Sequence, residues 1–351
     1  MAKMSSVLMG GLSVVFAALV LAAPNDGPDQ ARARVERHAQ ELASELARVC
    51  PRADPSDKTA FNSCRRGLFN NSAFKLSLPD YVLWGRQSDA KAALKDLKLT
   101  QFAPDVLTNM YVPLFMFDGN YTVEYVARES LYQVRLHTAF RNQLEPGEFP
   151  YPFWHDANKW SMYENASELI LWWDPVADRI KVAQFTALGG KAPIAPPTHV
   201  ARPAFDGKWT WSDATGKTQP VVTVFDGLFH AENPYLTQLD SAYKKFALKL
   251  RDGQCYECHV PANPDGMKKL VLFQTPAHAA GEIKRLLKSV REDKMPRDEF
   301  GIEQPLDRGI KDALLGEGER FSELVDAARA WEAKSLMSSR VVSNPDKVVA
   351  R

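Results

Sequence analysis

The chain of 351 residues is poor in cysteine and histidine, with four of the former and seven of the latter. It has one C-x-x-C pair and no H-x₃₋₅-H pair, which argues against a structural zinc site. It also lacks the G-x-G-x-x-G fingerprint of a dinucleotide-binding fold. With 44 Lys and Arg against 43 Asp and Glu, the formal net charge is +1. No excess of charge therefore points to a nucleic acid or an anionic membrane surface as a partner.

Long apolar runs are also missing, apart from one at the N-terminus. Lys3 precedes it, and Val7 to Ala23 is apolar except for two glycines and one serine. Small residues end the run, and polar, turn-prone sequence follows. This pattern predicts a signal peptide over residues 1–23 and export to the periplasm. Since about 17 residues is the lower limit for a membrane span, an uncleaved anchor over residues 5–23 is the alternative.

What the chain does contain is Cys255-Tyr256-Glu257-Cys258-His259, which reads C-x-x-C-H. This is the attachment signature of a c-type haem. The two thiols add to the two vinyl groups of the porphyrin, and the adjacent imidazole binds the iron as the proximal ligand. A thioredoxin-like dithiol and half of a zinc site are the alternatives. We therefore predict one covalent haem c on Cys255 and Cys258, with His259 on the iron.

Residues 236–337 resemble a small class I c-type cytochrome. A helical stripe of Leu239, Tyr243, Phe246 and Leu250 leads to the C-x-x-C-H motif, and further amphipathic patterns predict helices over 279–292 and about 318–335. In that family a closing helix packs across the first, and a methionine is the second axial ligand. The resemblance covers less than a third of the chain and implies an all-α haem domain, with a disordered tail over 338–351.

The second axial ligand has three candidates. Met295 is followed by Pro296 on the loop after the middle predicted helix, the position that the resemblance implies for the distal ligand. A thioether suits a low-spin electron-transfer iron and raises its potential. His278 would give a bis-histidine iron of lower reduction potential. In the third possibility no side chain binds the sixth coordination position of the iron. We expect Met295.

The remaining two cysteines are Cys50 and Cys64. In an oxidising compartment, with the other thiols on haem, a structural disulfide between them is the natural interpretation. It would close a loop of about 15 residues, and on the chain-entropy model such a disulfide stabilises the folded state by about 3 kcal/mol. Two buried thiols are the alternative.

The sequence patterns of residues 24–235 predict an α+β domain of unknown role, in which N-terminal helices precede an antiparallel sheet. Helices are expected over 29–50, from a cap at Ser56 to Leu68, and over 88–97. Alternation of apolar and polar residues predicts strands at Tyr121–Tyr125 and Tyr132–Leu136, then hairpins over 169–186 and 208–225. A helix followed by such strands is compatible with a PAS-like sensory fold. This analogy concerns the fold alone and implies no function.

These features favour a periplasmic mono-haem cytochrome that carries out one-electron transfer with redox partner proteins. Two alternatives stay open. The first is an oxidoreductase with its active site in residues 24–235, for which the cytochrome is the electron outlet. The second is a haem-based sensor of a small ligand. An electron-transfer protein is favoured over a catalyst, because the N-terminal domain carries no flavin, quinone or metal motif that would assign catalytic residues.

Overall fold

A computed structural model describes residues 27–69, 72–144, 163, 165–186, 225, 227–260, 266–273, 276–298 and 300–342. The predicted signal peptide, nearly all of the predicted hairpin over 208–225 and residues 343–351 lie outside these ranges. The described part consists of an N-terminal helical region, one mixed sheet of seven strands, and a C-terminal set of helices. None of its helices is both long enough and apolar enough to cross a membrane.

The first helix, α1 (Pro28–Val49), agrees with the sequence prediction. Pro28 occupies its first turn, where a missing N–H costs nothing. One stripe of side chains at three- and four-residue spacing is buried against the sheet and the neighbouring helices: Val35, Ala39, Leu42, Ala43 and Leu46. The amphipathic pattern alone thus determines which face of α1 packs on the core.

Helix α2 (Lys58–Phe69) forms as predicted, but with a different cap. Asp57 Oδ1 accepts hydrogen bonds from the backbone N–H groups of Thr59 and Ala60. Ser56, the predicted cap, instead donates its hydroxyl to Asp54. A carboxylate is the stronger partner for a helix N-terminus, because it also interacts with the helix dipole. A short helix, α3 (Ser72–Leu76), follows.

The sheet is mixed, whereas an antiparallel sheet was expected. Its strands are β1 (Val82–Arg86), β2 (Leu99–Phe102), β3 (Phe115–Val126), β4 (Leu131–Phe140), β5 (Glu168–Asp174), β6 (Arg179–Thr186) and β7 (Lys269–Val271), in the order β3-β4-β5-β6-β1-β2-β7. The pairs β1–β6 and β2–β7 are parallel, and the others are antiparallel. Alternation in the sequence identifies a strand but not the direction of its partner, which depends on distant segments.

Short helical pieces connect β2 to β3. Helix α4 (Pro104–Val106) continues into a π-helical turn (Leu107–Tyr111) and a 3₁₀ turn (Val112–Leu114). The helix predicted over 88–97 is wrong apart from one 3₁₀ turn, Leu94–Asp96. That segment is too short to bury a full helical stripe, since isolated short helices are unstable without tertiary packing.

Three longer helices dominate the C-terminal part: α5 (Leu236–Asp252), α6 (Pro276–Arg291) and α7 (Arg308–Val342). Helix α7 packs closely against α5 and α6 at Gly318. A Cβ atom there would lie 3.0 Å from Phe246 Cε2 and 2.7 Å from Leu287 Cδ2. The rings of Phe246 and Phe321 stack at 5.6 Å. Helix α7 begins earlier than predicted and continues to Val342, into the tail that was predicted over 338–351.

The C-terminal part is packed directly on the N-terminal part. Strand β7 lies beside β2, although residues 236–337 were expected to be wholly helical. Gly281 of α6 lies so close to α4 that a Cβ atom would be 2.9 Å from Ala103 Cβ. Asp105 pairs with Lys75 and with Arg329 of α7, and these cations lower the pKa of Asp105 despite its burial. The sheet thus includes strands from both sides of residue 235.

Candidate haem-attachment site

The C-x-x-C-H motif follows directly from the end of α5. Gly253 closes the helix, and its lack of a side chain allows Leu314 of α7 to approach. Gln254 adopts a left-handed conformation with φ of 59°, which reverses the chain. Cys255–Glu257 then forms a 3₁₀ turn, and the N–H of His259 donates to the carbonyl oxygen of Cys255 at 3.1 Å. This turn and the hydrogen bond that follows it therefore bring Cys255, Cys258 and His259 together in one compact segment.

A hydrogen bond to a strand of the sheet fixes the orientation of the His259 imidazole. Its Nδ1 lies 2.9 Å from the carbonyl oxygen of Val271 in β7, and its ring lies 4.6 Å from that of Phe273. A carbonyl can only accept, so Nδ1 carries a proton, and in the neutral ring the lone pair is then on Nε2. This is the tautomer that a metal-binding histidine requires, and such a hydrogen bond fixes the ring for ligation.

Cys255 and Cys258 form no disulfide in the described structure, whereas Cys50 and Cys64 form the predicted one. Burial raises the pKa of the Cys255 thiol to about 12, so that this thiol is protonated at neutral pH. Cys50 and Cys64 are both fully buried, and their Cα atoms lie 4.6 Å apart. The disulfide joins the end of α1 to α2. Its prediction from the sequence is confirmed.

Met295 lies on the loop between α6 and α7, where its side chain is 36% exposed. Asp298 organises this loop by accepting hydrogen bonds from the N–H groups of Phe300 and Ile302 and from the side chain of Gln304. Phe300 and Ile302 are 80% and 60% exposed. Three large apolar side chains therefore project from one ordered loop that follows α6.

The competing ligand, His278, is placed differently. It lies on the face of α6 that packs on the N-terminal part, with Nε2 3.3 Å from the hydroxyl of Tyr111 and its ring 5.1 Å from that of Phe102. Burial lowers the pKa of His278 to about 3, so the ring is neutral. His278 thus contacts the connection between β2 and β3.

Sequence reasoning missed the residues that orient the histidine. The carbonyl that accepts from His259 belongs to Val271, which is 12 residues further along the chain. No sequence signal marks Val271, because every residue has a backbone carbonyl. Within the described ranges no group of three His, Cys, Asp or Glu side chains is arranged to hold a metal ion.

No family model, no curated protein and no solved structure matches the chain. The case for a function therefore depends on the residues of this chain and on their geometry.

Proposed function

We propose that the protein is an exported mono-haem c-type cytochrome that exchanges one electron at a time with redox partner proteins. The observation that carries the proposal is the hydrogen bond between His259 Nδ1 and the Val271 carbonyl, made by the histidine of the C-x-x-C-H motif. An ordinary surface histidine has no need of one fixed tautomer, whereas a metal ligand does.

The donor set fits a covalent haem c. Cys255 and Cys258 would supply the two thioether bonds, His259 the proximal nitrogen, and Met295 the distal sulfur. The loop that carries Met295 also presents Phe300 and Ile302 to solvent, and a macrocycle has the apolar surface that would cover them. When bound, haem c supplies a single reversible electron at iron, and no substrate bond is made or broken.

The chain's own residues keep the change in geometry on electron transfer small. Val271 and Phe273 hold the imidazole of His259 from one side. The hydrogen bonds to Asp298 hold the loop that bears Met295. Apolar side chains of α5 and α7 would exclude water from a bound haem, which favours a higher reduction potential. A rigid environment of this kind suits an electron carrier.

The packing of α7 across α5 supports the proposal that residues 236–337 form a haem domain similar to class I cytochromes. Strand β7 is a departure from an all-α domain, and it lets the N-terminal part support the proximal histidine. For that part we propose a PAS-like fold, on the pattern of strands, a helical connection and an antiparallel run of strands. This analogy does not by itself assign a function to residues 24–235.

We propose the periplasm as the location. Export through a signal peptide over residues 1–23 and the disulfide between Cys50 and Cys64 both imply an oxidising compartment. Covalent haem attachment takes place in the same compartment in bacteria. If the N-terminal segment is not cleaved, it anchors the protein to the membrane with the haem outside.

The first experiment is the visible spectrum of the purified, dithionite-reduced protein, before and after carbon monoxide. A sharp α-band that the gas leaves unchanged is the expected result, because Met295 and His259 would hold both axial positions of the iron. Purified Cys255→Ser and Cys258→Ser variants should retain less haem after denaturation. Because either remaining thioether would still hold the haem, the deciding variant is Cys255→Ser/Cys258→Ser, and full haem retention by this double variant after denaturation would refute covalent attachment through the two cysteines. The variant Ser322→Ala of α7, away from the motif, serves as the control for expression.

Haem-based sensing is the second candidate. It is favoured by the direct contact of α6, which leads to the Met295 loop, with the N-terminal part through His278 and Tyr111. In a sensor the distal ligand leaves and a diatomic molecule takes its place. A band that shifts with carbon monoxide in the unmodified protein would favour this function over electron transfer.

A further inference from the structure

Arg141 is a fully buried cation in the N-terminal part, remote in sequence from the haem motif. It follows directly on β4, and its backbone N–H donates to the carbonyl of Leu114 at 2.9 Å. The side chain enters the interior, where Nε donates to the carbonyl of Pro113 at 3.3 Å. The helical connection that precedes β3 therefore holds the backbone of Arg141 through Leu114 and its guanidinium group through Pro113.

The two terminal nitrogens of Arg141 have no hydrogen-bond partner in the described part of the chain. No carboxylate of that part forms an ion pair with it either. A buried charge without a partner costs several kcal/mol, and native proteins almost always compensate it. Burial correspondingly lowers the pKa of Arg141 to about 10, and the negative charge of Asp57 opposes this shift.

An aromatic ring lies near the guanidinium, and the disulfide lies near its acceptor, Pro113. The ring of Phe61 in α2 lies 6.0 Å from its Cζ atom, and the sulfur of Cys64, in the disulfide, lies 3.7 Å from the same Pro113 carbonyl. The neighbouring π-helical turn contains two more buried polar atoms without partners in the described structure, Thr108 Oγ1 and Asn109 Oδ1. Such turns are rare and occur frequently at functional sites.

We propose that Arg141 binds a small carboxylate ligand. Four N–H bonds on its two terminal nitrogens form a planar fork that matches the two oxygens of a carboxylate. A monovalent carboxylate with a short apolar tail is less costly to dehydrate than a divalent phosphate, which suits an environment of Phe61, Pro113 and the disulfide. This site is independent of the haem, because it rests on residues of α2, β4 and the connection before β3.

The test is the thermal unfolding of the full-length purified protein in acetate, propionate or inorganic phosphate, with sodium chloride at equal ionic strength as the reference. We expect Tm to rise with acetate or propionate by roughly 2 °C for each tenfold increase above Kd. The rise should be absent in Arg141→Met and in Arg141→Gln. The exposed Arg86 provides the matched control, because Arg86→Gln removes the same charge and should retain the response.

The variants also separate a binding role from a structural one. If Arg141 is unpaired without a ligand, Arg141→Met should be at least as stable as the unmodified protein in chloride, because an apolar side chain replaces a buried charge. A carboxylate response that persists in Arg141→Met would overturn the proposal. A rise in Tm with phosphate alone would also overturn the proposal. The same holds if neither carboxylate changes the Tm of the unmodified protein, a result that would leave water as the partner of Arg141.

Discussion

The stability of the protein should depend on pH through one buried carboxyl group, Glu282. It lies on α6 and is 1% exposed. Its Oε2 is 3.0 Å from a guanidinium nitrogen of Arg285, yet the angles are poor, and in the described structure neither carboxylate oxygen accepts a hydrogen bond. Burial therefore outweighs the attraction of Arg285 and raises the pKa of Glu282 from 4.5 to about 7.

The sign follows from which form the folded state prefers. At low pH the carboxyl group is neutral in both the folded and the unfolded state, and it costs nothing. Between pH 4.5 and about 7 the unfolded state releases its proton first, so stability is lost as the pH rises. The full difference corresponds to about 3 kcal/mol above pH 7, an order-of-magnitude value for a group this deeply buried.

The substitution Glu282→Gln keeps the shape of the side chain and removes its charge. Chemical denaturation at pH 5, 6, 7 and 8 should show the variant more stable than the unmodified protein by less than about 1 kcal/mol at pH 5 and by about 3 kcal/mol at pH 8. Glu323→Gln, at an exposed position of α7, is the matched control and should show no such trend. Parallel curves for Glu282→Gln and the unmodified protein across this range would refute the reasoning.

Three further predictions concern the disulfide, the axial ligand and the core. The double variant Cys50→Ala/Cys64→Ala should lose about 3 kcal/mol of unfolding free energy in urea denaturation, because the disulfide restricts the unfolded chain. Dithiothreitol should destabilise only the unmodified protein. Met295→Ala should lower the reduction potential and open the iron to carbon monoxide, whereas His278→Gln should do neither; an unchanged potential in Met295→Ala would place the ligand elsewhere. Phe321→Ala should cost about 3–5 kcal/mol of unfolding free energy, because Phe321 is fully buried among Phe225, Tyr243 and Phe246, and a smaller loss would mean that the helices close over the cavity.

Local patterns in the sequence determined several elements directly. The apolar stripe of α1, the alternation in β4 and the spacing of the C-x-x-C-H motif are each readable within about 20 residues, because they depend on backbone periods and on the reach of neighbouring side chains. The disulfide between Cys50 and Cys64 was also predictable, since few other cysteines compete. These features specify the elements and the candidate ligands.

Only the tertiary structure decided how those elements meet. The pairing of β7 with β2 and the carbonyl of Val271 beside His259 join segments that are far apart in sequence, and a backbone carbonyl carries no sequence signal. The burial of Glu282 and of Arg141 is equally non-local, because charged residues are ordinarily exposed and their cost depends on what surrounds them. The sequence thus determined which groups are present, and long-range packing determined their environment, their protonation and the orientation of the histidine.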